Sequence, residues 1–180
     1  EAIERIGRFG QPLGMHLGPV PYAAWQQAFD PLLTPGARNY WKSHNFTQLS
    51  DAAIDTVIRH AGKLPTPQCE IFLGLLGAQA SRPAPQDTAY PHRDALYVMN
   101  VHTRWDEPAD DARCIAWALD FFNEAAPYAT GSVYVNFLTE DEGGRTADAY
   151  GVNYPRLARI KKQYDPANLF RANQNICPAA

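Results

Sequence analysis

Three short runs of this sequence carry side chains able to hold or change a ligand. In ALYVMNVHT (95–103), strict alternation sets Leu96, Val98, Asn100 and His102 on one side of a strand and Tyr97, Met99 and Val101 on the other. In NYWKSHNF (39–46), Trp41, Ser43 and Asn45 lie opposite Tyr40, Lys42 and His44. In SVYVNF (132–137), Tyr134 and Asn136 share one side while Val133, Val135 and Phe137 take the other. Amide, indole, imidazole and phenol groups on sheet faces suit a planar or polyhydroxylated small molecule. The amides orient it, and the imidazole and phenol can carry a proton. The plain alternative is a solvated sheet face, on which Asn100 and His102 satisfy neighbouring backbone groups.

Other chemistries find no support. His92, Asp94 and His102 match no standard ligand spacing, so no metal is expected. Ser81 stands outside any G-x-S-x-G turn, and neither a G-x-G-x-x-G nor a Walker loop is present. Cys69, Cys114 and Cys177 are widely spaced and form no C-x-x-C. They predict neither a disulfide framework nor a zinc site, and they fit a reducing, cytoplasmic setting. A net charge of −3 without a basic run argues against nucleic acid or an anionic membrane as partner. No apolar run approaches the roughly 18 residues of a membrane span, and the opening EAIERIGRFG lacks the apolar region of a signal peptide.

The elements that must position these residues alternate along the chain. At 180 residues and 46% hydrophobic, the chain can fill one sizeable core. Helices are expected over 21–29, over 50–61 with Ser50 as N-cap and Ala53, Ile54, Val57 and Ile58 as the buried stripe, and over 107–126 with Ile115, Leu119 and Phe122 in register, widened by Trp117 and Phe121. A last helix starts at Asn153 as N-cap, with Pro155 in its first turn and Tyr154, Leu157, Ile160 and Tyr164 on its buried side, and stops at Asp165-Pro166. Strands are expected over 39–46, 69–76, 95–103 and 132–137, all rich in aromatic and β-branched residues. The result is an α+β fold: a mainly antiparallel sheet with helices covering one face, then a terminal helix and an irregular tail.

The closing stretch YGVNYPRLARIKKQYDPANLFRANQNICP (150–178) resembles the C-terminal signature of the berberine bridge enzyme-like FAD-linked oxidases, in which Y-G-x-N-Y-x-R-L leads to Y-D-P-x-N-L-F and a polar tail. SVYVNF is similar to that family's Y-x-N-[YF] segment, and YPHRDALYVMNVH to its P-H-R loop and following strand. In style the bacterial members are nearest. The resemblance implies a substrate domain over 1–145 and the family's terminal segment over 146–180, with the N-terminal flavin-binding domain lying outside these residues and serving as the natural partner of the tail. A homo-oligomer is the other partner to test.

The resemblance also implies a function: two-electron oxidation of a small alcohol, sugar or secondary metabolite, with FAD as cofactor. By position it assigns Trp41, Val98, Asn100 and Phe137 to the substrate, Asn136 and Asn153 to the cofactor, and proton transfer to Tyr134 or His102. Phe137 stands where many relatives carry Tyr, and it cannot hold a proton. A small-molecule-binding α+β module without redox activity is the competing reading.

Overall fold

The structure, a computed structural model, describes residues 2–8, 11 and 16–180. Of the opening run, Glu1, Phe9 and Gly10 lie outside the described residues. The chain divides into two compact units, Glu1–Pro35 and Gly36–Ala180.

The first unit holds α1 (Ala2–Gly7), α2 (Tyr22–Gln26) and a 3-10 turn over Asp30–Leu32. The helix expected over 21–29 is only five residues long and buries none of them. Pro21 precedes its start and Pro31 takes the chain into the next turn, which leaves no second turn to carry an apolar stripe. Within it, Trp25 meets Phe29 edge-on at 5.7 Å.

The second unit is built on three antiparallel strands, β1 (Arg38–Phe46), β2 (Glu70–Leu75) and β3 (Tyr97–Trp105), in the order β1-β3-β2. Trp41 lies opposite His102, Ser43 opposite Asn100 and Asn45 opposite Val98. On the other side of β3, Glu70 faces His102 and Phe72 faces Asn100. Alternation therefore sorts the sheet into two faces, as the sequence predicts. One takes Phe46, Met99 and Val101, which join Ala118, Phe121 and Ala125 in the core. The helices α3 (Asp51–Ala61) and α4 (Asp111–Ala125) cover that face. The start of α4 is anchored by Asp111, which accepts from Arg38 at 2.5 and 2.6 Å and from the Trp105 indole at 2.7 Å.

The helices exist where expected, but three apolar registers differ. In α3, Ser50 caps Ala53 N at 3.3 Å, yet the buried residues are Ala53, Thr56 and His60, while Ile54 and Ile58 face outward. Thr56 can turn inward because its hydroxyl donates to Ala52 O at 2.9 Å and so meets its hydrogen-bond need within the helix. In α4 the buried line is Cys114, Ala118, Phe121 and Ala125, one position off the Ile115, Leu119 and Phe122 line. Small Cys and Ala side chains let the helix approach the sheet closely, and Phe121 fills what is left. In α6 (Tyr154–Tyr164) only Ala158 is buried, and Ile160 and Tyr164 are exposed.

Two further expectations are corrected. SVYVNF is not a strand. After Thr130 N bonds Asn45 O at the edge of β1, the chain leaves the sheet and closes a 3-10 turn over Val135–Phe137. Its β-rich composition serves a separate small core of Val133, Leu138 and Ala149, with Val135 packed against it. Asn153 does not cap α6 with its side chain. Its Nδ2 instead donates to the carbonyls of Pro85 and Thr88, at 2.7 and 2.9 Å, tying the proline-rich loop to the helix start.

The segment 139–145 is held by a buried ionic cluster. Lys42, 3% exposed, donates to Thr139 and Asp141 at 2.8 Å and lies 3.2 Å from Glu142, which also pairs with Arg145 at 2.7 Å. Thr139 and Glu142 close a capping box at the start of this segment. Then α5 (Thr146–Tyr150) leads through Gly151 into α6. Beyond α6, Asp165 receives Leu169 N and Phe170 N at 2.7 and 3.0 Å. Gln174 donates to Leu138 O at 3.0 Å and Ala179 N to Ala158 O at 3.0 Å, so the tail lies along this unit while Leu169 and Phe170 stay exposed.

Candidate active site

The sheet face away from α3 and α4 carries Trp41, Ser43 and Asn45 on β1 beside Asn100 and His102 on β3. It holds an unusual concentration of unmet hydrogen bonds. Trp41 Nε1, Ser43 Oγ, Asn45 Oδ1 and Asn100 Oδ1 are all buried without a partner. Ser43 and Asn45 are fully covered, whereas Trp41 and Asn100 are partly exposed and form the border of the row. An unpaired buried donor or acceptor costs roughly 1–3 kcal/mol, so four on one face mark a surface made for an occupant more than for packing.

His102 sits at the edge of this row in a two-sided clamp. Its Nδ1 lies 3.4 Å from Glu70 Oε1 and its Nε2 3.0 Å from Asn39 Oδ1. Asn39 Nδ2 donates to Ala37 O at 2.8 Å, which fixes the amide with its oxygen toward the imidazole. Both ring nitrogens thus face oxygen acceptors, and the ring packs edge-on against Trp41 at 5.9 Å. The clamp fixes the indole plane.

At the Val98 end of the face lies a pocket of about 300 Å³, whose walls include Val98, Tyr134, Phe137, Tyr90, His92 and Arg93. Three of these were expected at the site, and the pocket brings them together although SVYVNF is not a strand. The link is Asn45, whose Nδ2 donates to Ser132 Oγ at 2.9 Å and holds the start of that segment against β1. Asn136 Nδ2 donates to Tyr134 Oη at 2.7 Å, so the phenol hydrogen has to point away from the amide. The Tyr134 ring is fixed edge-on by Phe137 at 5.2 Å and by Tyr90 at 6.2 Å.

Tyr90, His92 and Arg93 come from the loop after the proline-rich run. His92 Nε2 lies 3.0 and 3.1 Å from the carbonyls of Asp148 and Ala149, and Arg93 donates to Ala80 O at 2.7 Å. Burial pushes the Tyr90 phenol above its ordinary value, with the Arg93 charge pulling the other way. Nothing local announces these roles, because their partners lie far along the chain. The P-H-R resemblance was the one available signal.

Asn153 stands apart from the pocket, its amide nitrogen engaged by the proline-rich loop. Trp41 also borders a larger groove of about 1220 Å³ along β1, shared with Asp141, Arg171, Asn173 and Gln174. Among the described residues no group of three or more His, Cys, Asp or Glu side chains could hold a metal ion, and no helix is long and apolar enough to cross a membrane.

Comparison with known proteins bears on the family and the fold. Residues 133–177 match the family model described as berberine and berberine like. An uncharacterized FAD-linked oxidoreductase of Bacillus subtilis is 32% identical over 130 residues, covering 72% of this chain and 29% of that protein. The chitooligosaccharide oxidase of Gibberella zeae is 33% identical over 119 residues, covering 63% of this chain and 24% of its own length. The solved berberine bridge enzyme of Eschscholzia californica superposes with a TM-score of 0.73 at 22% identity, over 80% of this chain and 34% of that one, which shows a shared fold. The chain thus spans about a third or less of the length of each of these three proteins. The family match falls on the very segment that carries Tyr134, Asn136 and the two carbonyls that hold His92, and the chain belongs to the berberine bridge enzyme-like family.

Proposed function

We propose that this chain is the substrate-binding portion of an FAD-dependent oxidoreductase acting on a hydroxylated small molecule: an alcohol, a sugar or a secondary metabolite. The observation that carries the reading is the pocket that gathers Val98, Tyr134 and Phe137 at the end of a sheet face where Trp41 Nε1 and Asn100 Oδ1 are buried without partners. The FAD-linked oxidoreductases among the relatives support the reaction class, and the relative named for chitooligosaccharides supports a carbohydrate within it.

The residues present fit a flat heteroaromatic group. The exposed Asn136 amide, which keeps one N–H and its carbonyl oxygen beyond the bond to Tyr134, would meet the polar edge of that group. FAD, when bound, supplies the two-electron oxidising power. The rest belongs to this chain. Tyr134 Oη takes the proton of the substrate hydroxyl once its own phenol proton has passed to solvent, and Asn136 Nδ2 donates to the oxygen that then bears the charge. His102, with both nitrogens engaged, orients Trp41. Trp41 and Asn100 orient the substrate, and Val98 and Phe137 keep water from the reacting centre. Asn153 holds the loop that delivers Tyr90 and His92.

The test uses the complete reading frame that encodes this chain. The purified protein should show a flavin absorbance spectrum that bleaches anaerobically with at least one compound from a panel of sugars and alcohols. Tyr134→Phe should slow that bleaching by about 10²-fold or more while leaving thermal unfolding nearly unchanged. A colourless protein, or a Tyr134→Phe variant that bleaches at the original rate, refutes the reading.

A further inference from the structure

His92 is the pocket residue that the proposed reaction leaves unused. Its Nε2 lies 3.0 Å from Asp148 O and 3.1 Å from Ala149 O. Carbonyls only accept, so this nitrogen carries the proton and Nδ1 is left as a bare acceptor. No protein group meets Nδ1 among the described residues, although the ring lines the pocket. The imidazole is also held in place. Tyr90 packs edge-on against it at 5.5 Å, and at Gly151, with φ of +45°, a Cβ would stand 3.5 Å from His92 Cε1. Tyr90 supplies the complement, for its hydroxyl has no hydrogen-bond partner among the described residues. Burial keeps that phenol protonated at neutral pH, and Arg93, with its cationic carbon 5.1 Å from the ring centre, fixes the ring.

An acceptor and a donor carried by two packed rings that line one pocket offer what a hydroxyl group needs, because it donates and accepts at once. Resting on the substrate-site reading above, we propose that His92 Nδ1 and Tyr90 Oη together bind a second hydroxyl of the substrate, next to the one whose proton Tyr134 takes, so that the pocket selects ring compounds bearing more than one hydroxyl. The pocket's volume of about 300 Å³ accommodates one such ring.

Two substitutions at His92 separate binding from scaffolding. His92→Gln keeps a nitrogen in the Nε2 position for the two carbonyls and removes the Nδ1 acceptor. His92→Asn is too short to reach the carbonyls. In the complete protein, ¹⁵N-histidine spectra should show one imidazole in the Nε2–H form, identified by its absence from His92→Gln. Its Nδ1 signal should move when D-glucose, N-acetyl-D-glucosamine or trans-1,2-cyclohexanediol is added, and stay still with cyclohexanol. For whichever compound is turned over, His92→Gln should raise KM about tenfold, the effect of one hydrogen bond, with a much smaller change in kcat. Tyr90→Phe, which keeps every ring contact, should do the same. His92→Asn should lower Tm, and His92→Gln should not. An Nδ1 signal indifferent to all three polyols, or an unchanged KM in both His92→Gln and Tyr90→Phe while turnover persists, overturns the proposal and leaves the reaction assignment intact. Absence of turnover in every form of the protein would instead strike at the reaction assignment.

Discussion

Acidification should unfold this protein partly through His44, and the size of the effect can be worked from its surroundings. The residue is 4% exposed, stacked on Phe122 at 4.0 Å, and its Nε2 lies 2.9 Å from Phe122 O. Burial lowers its pKa from 6.5 to about 4, with the bond to Phe122 O opposing only in part. The unfolded chain therefore takes up a proton that the folded one refuses. The contribution is whole above pH 6.5 and is lost as pH falls toward 4. Between pH 7.5 and pH 4.5 the linkage amounts to about 2.5 kcal/mol, a large share of a typical domain's stability. His44→Gln preserves a nitrogen for the carbonyl and does not titrate, though losing the stacked ring should cost about 1 kcal/mol at neutral pH. Urea unfolding followed by circular dichroism should therefore give curves of stability against pH that cross, with the variant weaker at pH 7.5 and stronger at pH 4.5. Parallel curves would show that the protonated ring is accommodated and that the argument from burial is wrong.

Two further outcomes follow from the same side of the sheet and from the loop beneath the pocket. Lys42→Met should cost about 3 kcal/mol, because it removes a buried cation from Glu142, leaving that carboxylate to Arg145 and the Thr139 capping box, and loosens the 139–145 segment. The acid limb of stability should also flatten. Burial raises Asp141, but bonds from Lys42, Thr139 and Tyr40 outweigh it and bring the carboxyl down to about 2, so this contribution is whole above 3.8 and fades as pH falls toward 2. Gly151→Ala should cost roughly 1–2 kcal/mol, since φ of +45° disfavours any Cβ and the added carbon would meet Pro91 Cγ at 3.3 Å. Thermal melts check both.

Three strands were legible because their residues alternate and because each is long enough for β-branched and aromatic types to dominate. That was sufficient to put Trp41, Ser43 and Asn45 on one side of their strand and Asn100 and His102 on one side of theirs, and the register then joins the two sides into one face. Helix faces were harder to read. A large apolar residue is a poor guide to the buried side when the sheet approaches so closely that only Cys114 and Ala118 fit, and when Thr56 can satisfy its hydroxyl on its own helix. SVYVNF misled because its valines do pack inward, but against Leu138 and Ala149 and not within a sheet. His92 and Tyr90 were illegible for a different reason. Their roles come from carbonyls 56 and 57 residues further on and from Tyr134, and no local period encodes a pairing at that distance.

The two faces of the sheet differ in degree, for among the described strand residues one buried side-chain atom on the helix side, His44 Nδ1, lacks a partner against four on the other side, and the contrast bears on function. On the helix side even the charges are matched: Lys42 finds a hydroxyl and two carboxylates, and Asp111 takes three hydrogen bonds. On the other side, four buried atoms of three adjacent β1 positions and their β3 neighbour find none. A chain able to satisfy the harder case could have placed Val or Thr in the easier one, gaining roughly 1–3 kcal/mol at each position. Ordered water can serve Ser43 and Asn45, which are wholly covered, because water needs only a small polar space. It does not explain why Trp41 and Asn100, at the border, hold a donor and an acceptor on diagonal positions roughly 7–8 Å apart. Both groups border the same row, and the clamp of Glu70 and Asn39 on His102 then has a purpose: it holds the imidazole against which the Trp41 indole packs.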